Sequence, residues 1–99
     1  MVRLDGILSI LRAHQRELTR RGVLHVGVFG SVARGSEAEG SDVDVAIELD
    51  RHRPIGLMEY NALGDYLEAL FGVSVDMAER TSVRNRLKSE IDRDYRHAF

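Results

Sequence analysis

The 99-residue chain contains no cysteine, and this absence removes several chemistries at once. Without thiols there is no disulfide framework, no thiolate metal site and no cysteine nucleophile. No apolar run approaches the roughly 18 residues of a membrane-spanning helix, and no secretory leader pattern opens the chain. We therefore expect a single domain over residues 1–99 that works in the cytoplasm and does not contact a membrane.

Two other common chemistries find no support in the residue spacing. The four histidines are scattered without the spacing of metal ligands, which argues against a histidine metal site. The serines have no convincing histidine–aspartate partners, which argues against serine hydrolysis. Acidic residues are the more promising ligands and catalysts in this chain.

Charge is divided unevenly, with a strongly acidic centre between two basic ends. Residues 1–36 carry a net charge of +4, residues 37–79 carry −9 and residues 80–99 carry +3. A duplex-binding surface needs basic groups clustered on one face, so we expect no direct nucleic-acid binding. Acidic side chains packed together repel one another unless water solvates them or a cation neutralises them. The central segment is therefore where we expect a cation site.

The hydrophobic periodicity predicts alternating helices and strands, and a single proline leaves few forced breaks. The predicted elements are a helix over residues 3–20, a strand over 23–29, a glycine-rich turn, a strand over 43–49, a helix over 57–71, a strand over 73–79 and a final helix marked by Val83, Leu87, Ile91 and Tyr95. This order predicts an α/β (α+β) fold with helices packed on a small three-stranded mixed sheet. We take the narrow apolar stripe of the final helix, with the basic side chains beside it, as a candidate docking surface for a partner.

Two aspartates stand on one face of the second predicted strand. Residues 43–49 alternate between apolar and other side chains, so Asp42 and Asp44 project from the same polar face. Mg²⁺ suits such a pair, because it takes few carboxylates and completes its shell with phosphate oxygens. A lone pair of this kind is equally consistent with two solvated surface aspartates. Asp76 favours the metal site, since it lies on the polar face of the next predicted strand.

A glycine-rich turn follows the first predicted strand. Gly30, Ser31 and Gly35 give backbone N–H groups room to approach a phosphate closely. The two glycines have the outer spacing of a Walker A loop, but Ser36-Glu37 stands where the lysine is required, which argues against a P-loop NTPase. Taken alone, the turn is as consistent with structural glycines as with a phosphate cradle.

Together, these motifs resemble a known superfamily. Gly30-Ser31, ten further residues and then Asp42-x-Asp44 resemble the signature of the nucleotidyltransferases that include DNA polymerase beta. The longer string GSVARG…SDVDV, followed by VDMAE, is similar to the minimal nucleotidyltransferases of bacteria and archaea. The resemblance implies a nucleotidyltransferase fold like the polymerase beta palm, and the transfer of AMP from ATP with pyrophosphate leaving.

Metal-ligand roles follow from the resemblance, position by position. It implies that Asp42 and Asp44 ligate both of two Mg²⁺ ions. It further implies that Asp76 ligates the catalytic ion and helps to take or orient the proton of the acceptor hydroxyl. These three aspartates are therefore the candidate catalytic residues.

Nucleotide-binding roles are carried over in the same way. The resemblance implies that Gly30 and Ser31 hold the β- and γ-phosphates through backbone N–H groups and the serine hydroxyl. Arg34 is a further candidate for contact with the triphosphate, and a solvated arginine is the alternative. Ser41 is a candidate phosphate contact, and the alternative is that it caps the turn into the second strand.

The resemblance also implies a partner protein. Free-standing members of this length are typically encoded beside a HEPN-type toxin and act as antitoxins by adding AMP to a tyrosine of that toxin. A hetero-oligomer is therefore expected, and the partner must deliver the acceptor because the chain has no second domain to hold one. The alternatives are a non-catalytic antitoxin, which masks its partner by binding alone, and a nucleotide-binding subunit of a larger transferase.

Overall fold

The computed structural model describes residues 3–36 and 42–99. Its elements in these ranges are α1 (Leu4–Ala13), α2 (Gln15–Arg20), β1 (Val23–Phe29), α3 (Gly30–Arg34), β2 (Val43–Leu49), α4 (Leu57–Phe71), β3 (Val75–Glu79), α5 (Asn85–Asp94) and β4 (Arg96–His97). The predictions of strands over 23–29 and 43–49 and of a helix over 57–71 are confirmed. None of the helices in the described ranges is both long and apolar enough to cross a membrane.

The strands form one mixed sheet in the order β3-β2-β1-β4. β1 pairs antiparallel with β2 and with β4, whereas β2 and β3 run parallel because α4 connects them as a crossover. The α/β class with helices on a mixed sheet is thus confirmed, although the sheet has four strands in the described ranges instead of three. The additional strand, β4, is two residues long, which is too short to show alternation in a sequence.

The predicted N-terminal helix is broken into α1 and α2 at His14. The backbone there has φ −107° and ψ 18°, and the ring Nδ1 lies 2.8 Å from the carbonyl oxygen of Ile10. Leu11 and Leu18 are buried on either side of the break, but no large apolar residue between them anchors the chain to the sheet. The prediction of one continuous helix over residues 3–20 is therefore wrong at this residue.

One face of the sheet carries the main core. Alternate residues of β1 and β2 are buried there, as the sequence pattern predicts, and they pack against the apolar sides of α1, α2 and α4. Its most deeply buried side chains include Leu11, Leu18, Val26, Val28, Val45, Ile47, Leu63 and Leu67. This burial fixes the register of β2, because a slip of one residue would turn Asp44 into the core.

The opposite face of the sheet is covered in its middle by α5. The apolar stripe of the final helix packs against Phe29 and Ala46, and Ile91 is fully buried between the two layers. The sheet leaves room for the helix, since a Cβ at Gly27 would collide with the ring of Tyr95. The stripe therefore packs mainly against the sheet, and the prediction that its apolar side chains form an open docking surface is wrong.

Candidate active site

Parallel pairing places two of the predicted catalytic aspartates side by side. Asp44 of β2 and Asp76 of β3 are partners in the sheet register, and both project to the face that carries α5. Asp44 is half-buried and Asp76 is exposed. Asp42 is exposed immediately before β2, two residues from Asp44 and thus on the same side of the extended chain.

Gly30 follows β1 directly and is held against Asp44. The pairing of Phe29 with Asp44 brings the end of β1 beside the carboxylate. Gly30 is buried with φ +74°, and a Cβ built there would lie 3.0 Å from the Cγ of Asp44 and closer still to its Oδ2. The backbone angle and the contact both require glycine at this position.

The glycine-rich turn forms the short helix α3. Its N-cap, Phe29, has an extended backbone, and no side chain in the described ranges caps the first N–H groups. These N–H groups have no partner within the helix, so an external anion could accept from them. Ser31 is half-buried in the first turn, and the N–H of Ser36 donates to its carbonyl oxygen at 2.9 Å.

Arg34 ends α3 and is tied to α5. Its Nη1 donates to Oδ2 of Asp94 at 2.7 Å, although the Asp94 side chain is only 6% exposed. Arg93 also donates to this carboxylate, at 3.0 Å, so two guanidinium groups share it. The hydrogen bond from Arg93, assisted by that from Arg34, lowers the pKa of Asp94. Ser41, the other candidate nucleotide contact, lies outside the described residues.

The electrostatic environment of Asp44 is acidic. Burial is the main cause that raises its pKa from 3.8 to about 6. The carboxylates of Asp76, Asp42 and Glu90 raise the pKa further, and the guanidinium of Arg34 opposes them. Each of these three carboxylates is therefore near enough to Asp44 to repel its charged form.

No three acidic or histidine side chains within residues 3–36 and 42–99 converge on a single point where they could hold a metal ion. The donor chemistry of Asp42, Asp44 and Asp76 still fits Mg²⁺, because carboxylate oxygens are its preferred protein ligands. A divalent cation would also relieve the repulsion that acts on Asp44.

A cavity of about 270 Å³ lies between β3 and α5, next to the aspartate pair. Its walls are partly apolar and partly acidic, formed by Phe29, Asp44, Asp76, Met77, Ala78, Leu87 and Glu90. Sequence reasoning missed Glu90. It adjoins Ile91 in the apolar stripe, and only the packing of that stripe on the sheet places it beside Asp44 and Asp76.

Residues 9–98 match the family described as the nucleotidyltransferase domain. A relative from Thermococcus cleftensis, the protein adenylyltransferase MntA, is 39% identical over 95 residues. The match covers 95% of this chain and 94% of the relative, so the similarity extends over nearly the full length of both.

Solved structures share the fold. The structure of a minimal nucleotidyltransferase matches with a TM-score of 0.78 at 32% identity and covers 96% of this chain and 95% of that one. The structure of a tri-AMPylated Shewanella oneidensis HEPN toxin in complex with an MNT antitoxin contains a chain that matches with a TM-score of 0.65. That match has 15% identity and covers 93% of this chain and 71% of the other, so it shows the fold alone.

Proposed function

The chain belongs to the nucleotidyltransferase domain family, and we propose that it acts as an antitoxin by transferring AMP from ATP to a hydroxyl group of a partner protein. The observation that carries the proposal is the pairing of Asp44 with Asp76 directly beside Gly30. Carboxylates next to a turn with open backbone N–H groups can bind a metal–nucleotide complex. The protein adenylyltransferase relative supports AMP as the transferred group and a protein as its acceptor.

We assign Asp42 and Asp44 as ligands of two Mg²⁺ ions, and Asp76 as a ligand of the catalytic one. Bound there, Mg²⁺ would supply Lewis-acid stabilisation of the entering and leaving oxygens. In the transfer, the acceptor oxygen bonds to the α-phosphorus, the bond to the bridging oxygen of the β-phosphate breaks and pyrophosphate leaves. The protein's own share of the work is to position the reactants, so few residues suffice.

The nucleotide contacts are assigned to α3. The backbone N–H groups around Gly30 and the hydroxyl of Ser31 bind the β- and γ-phosphates, and Arg34 contacts the triphosphate. Arg34 can leave Asp94 for a phosphate at low cost, because Arg93 still pairs with the carboxylate it leaves behind. Ser41 is retained as a proposed phosphate contact.

The proposed partner is a HEPN-type toxin, the acceptor is a tyrosine hydroxyl of that toxin, and the two proteins form a hetero-oligomer. The S. oneidensis complex, in which a HEPN toxin carries AMP groups, supports this choice of partner. A folded partner at the cavity would hold the hydroxyl within about 3–3.5 Å of the α-phosphorus, as an in-line attack requires.

The test is to incubate the protein with α-labelled ATP, Mg²⁺ and the product of the adjacent reading frame, which we expect to be a HEPN-type toxin. Intact-mass spectrometry should show one or more AMP groups added to the partner. Asp44→Asn should abolish this addition, and Asp65→Asn should not, because Asp65 is an exposed carboxylate on α4.

Other outcomes would favour other functions. If the partner's mass stays unchanged while its toxicity is still suppressed, the protein is an antitoxin that acts by binding alone. If ATP binds but neither transfer nor suppression follows, the protein is a nucleotide-binding subunit. Both outcomes would contradict the proposed transfer.

A further inference from the structure

The cavity beside Asp44 and Asp76 is also lined by Glu90, a carboxylate that has no role in the proposed function. Glu90 is half-buried on α5 and lines the cavity together with Asp44 and Asp76. Because α5 packs on the sheet, Glu90 belongs to the helical wall, while the two aspartates belong to the floor that the strands form.

The other carboxylates of α5 are already bound. Asp92 accepts from Nη2 of Arg80 at 3.1 Å, and Asp94 accepts from Arg34 at 2.7 Å. Glu90 has no such hydrogen bond or ion pair to any residue in the described ranges. Of the three carboxylates of α5, Glu90 is therefore the one that lines the cavity and can accept a hydrogen bond from an incoming group.

The strand order separates the two substrates. The phosphate-binding turn follows β1, Asp44 lies on the central strand β2, and Asp76 lies on β3. An in-line displacement places the leaving pyrophosphate and the attacking oxygen on opposite sides of the α-phosphorus. If pyrophosphate lies at the end of β1, the attacking hydroxyl must arrive from the β3 side, where Met77, Ala78 and α5 form the cavity.

The size of the cavity agrees with this direction of approach. At about 270 Å³ it is smaller than the roughly 300–1,000 Å³ of pockets that enclose whole small molecules. It has room for one side chain from a partner. Its apolar walls suit the ring of a phenolic side chain better than a short hydroxyl side chain such as serine.

We infer that this cavity is the acceptor subsite and that Glu90 is a catalytic residue that receives the proton of the acceptor hydroxyl. The inference rests on the proposed function and adds a role to it. As the acceptor oxygen bonds to the α-phosphorus, its proton passes to the Glu90 carboxylate and pyrophosphate departs. Asp44 and Asp76 are proposed as metal ligands, and Glu90 is the carboxylate of the cavity that has no ligand role. The assignment of the proton to Glu90 therefore replaces the proton-accepting role that the family resemblance implied for Asp76.

The first test compares Glu90→Gln with Asp92→Asn in the partner-modification reaction. Glutamine keeps the shape and helix propensity of residue 90 but cannot take a proton. We expect kcat to fall about 100-fold in Glu90→Gln, the usual scale of general-base catalysis, with the KM for ATP within about twofold of wild type. Asp92→Asn, which removes a carboxylate from the same helix outside the cavity, should retain wild-type kcat.

Calorimetry of ATP binding in Mg²⁺ separates this role from a structural one. Glu90→Gln should bind ATP as wild type does and unfold at the same temperature. A kcat within twofold of wild type, or an ATP affinity that falls together with kcat, would overturn the assignment of Glu90. A wild-type protein that modifies no partner would instead contradict the proposed function.

A binding measurement tests the subsite independently of turnover. Titration of the wild-type protein with N-acetyltyrosinamide, followed by methyl NMR, should shift the methyl resonances of Ala78 and Leu87, both of which line the cavity on the side of α5. N-acetylserinamide should leave both unchanged, because it has no ring to contact the apolar walls. If the phenolic probe leaves these two methyl groups unperturbed, the cavity is not the acceptor subsite.

Discussion

Gly30 is constrained twice, by a left-handed backbone angle and by its contact with Asp44, and mutation can separate the two constraints. Gly35 has nearly the same angle, φ +73° against +74°, but nothing lies within 4 Å of the position of its Cβ. We expect Gly35→Ala to lower the free energy of unfolding by about 1 kcal/mol through backbone strain alone. Gly30→Ala should cost more and abolish AMP transfer, because its methyl group displaces the Asp44 carboxylate.

Chemical denaturation and the transfer reaction measure the two effects in parallel. Gly35→Ala is the matched control, since both changes add one methyl group at a positive φ. Equal losses of stability in the two variants would show that the contact with Asp44 has no energetic consequence.

Ionisation of Asp44 should make the folded protein less stable as pH rises, whereas ionisation of a carboxylate in a salt bridge makes a protein more stable. The Asp44 pKa of about 6 in the folded protein exceeds the ordinary 3.8, so the folded state binds the proton more tightly and stability falls as pH rises from about 4 to about 6. In metal-free buffer at pH 7, Asp44→Asn should be more stable than wild type by about 1 kcal/mol. This is less than the shift alone implies, since Asp44 is partly exposed.

Thermal unfolding across this pH range provides the measurement. Near pH 4 the wild-type and Asp44→Asn proteins should have similar stability, because both are then largely neutral at this position. Asp65→Asn should follow the wild-type curve. A loss of stability in Asp44→Asn at pH 7 would mean that the carboxylate is structural.

At the scale of elements, α3 depends on its neighbours. It has only five residues, so tertiary contacts determine its position, and the ion pair between Arg34 and Asp94 joins it to α5. If Arg34 also contacts the triphosphate, Arg34→Gln should weaken ATP binding about tenfold, the scale of one charge-assisted hydrogen bond, and leave AMP binding unchanged.

Arg86→Gln is the control for this prediction, because it removes an exposed guanidinium of α5 that does not pair with Asp94. Calorimetric titrations with ATP and with AMP should show no change in this variant. If Arg34→Gln binds ATP as tightly as wild type, the arginine serves only to attach α3 to α5.

The elements also show how far the sequence alone determines the fold and the site. The alternation over residues 43–49 predicts β2 and the side on which Asp44 projects, because one strand face is buried and the pattern is local. The position of α5 depends on Gly27, which has no side chain, and on Ala46, which has a small one. These two residues make room for a helix only because β1 and β2 pair and bring them side by side. Glu90 could not be predicted for the same reason, since its place in the cavity depends on that packing.

At the scale of the whole molecule, the charge distribution predicts that nucleotide binding depends on a cation. The chain has a net charge of −2, but residues 37–79 alone carry −9 and include all three candidate metal ligands. The triphosphate of ATP is itself anionic and is repelled by such a segment unless a cation bridges the two. ATP with Mg²⁺ should therefore raise the unfolding temperature, and ATP in excess chelator should not.

Differential scanning fluorimetry and calorimetry can measure both conditions, with Mg²⁺ alone as the control. The metal ion alone should have a small effect, because phosphate oxygens complete its coordination shell. ATP binding of equal strength in chelator would contradict the assignment of the aspartates to Mg²⁺.

The attachment of α5 at its C-terminal end has a mechanical consequence. Only Tyr95 separates the helix from β4, which pairs with Gly27 and Val28. The next residue, Ala98, donates its N–H to the carbonyl oxygen of Val26 at 2.9 Å. The C-terminal end of α5 is therefore held to the sheet, and a partner protein that moved the helix would disturb the hydrogen bonds between β4 and β1. The rate of hydrogen–deuterium exchange at the Ala98 amide should therefore report movement of α5, the helix that carries Glu90.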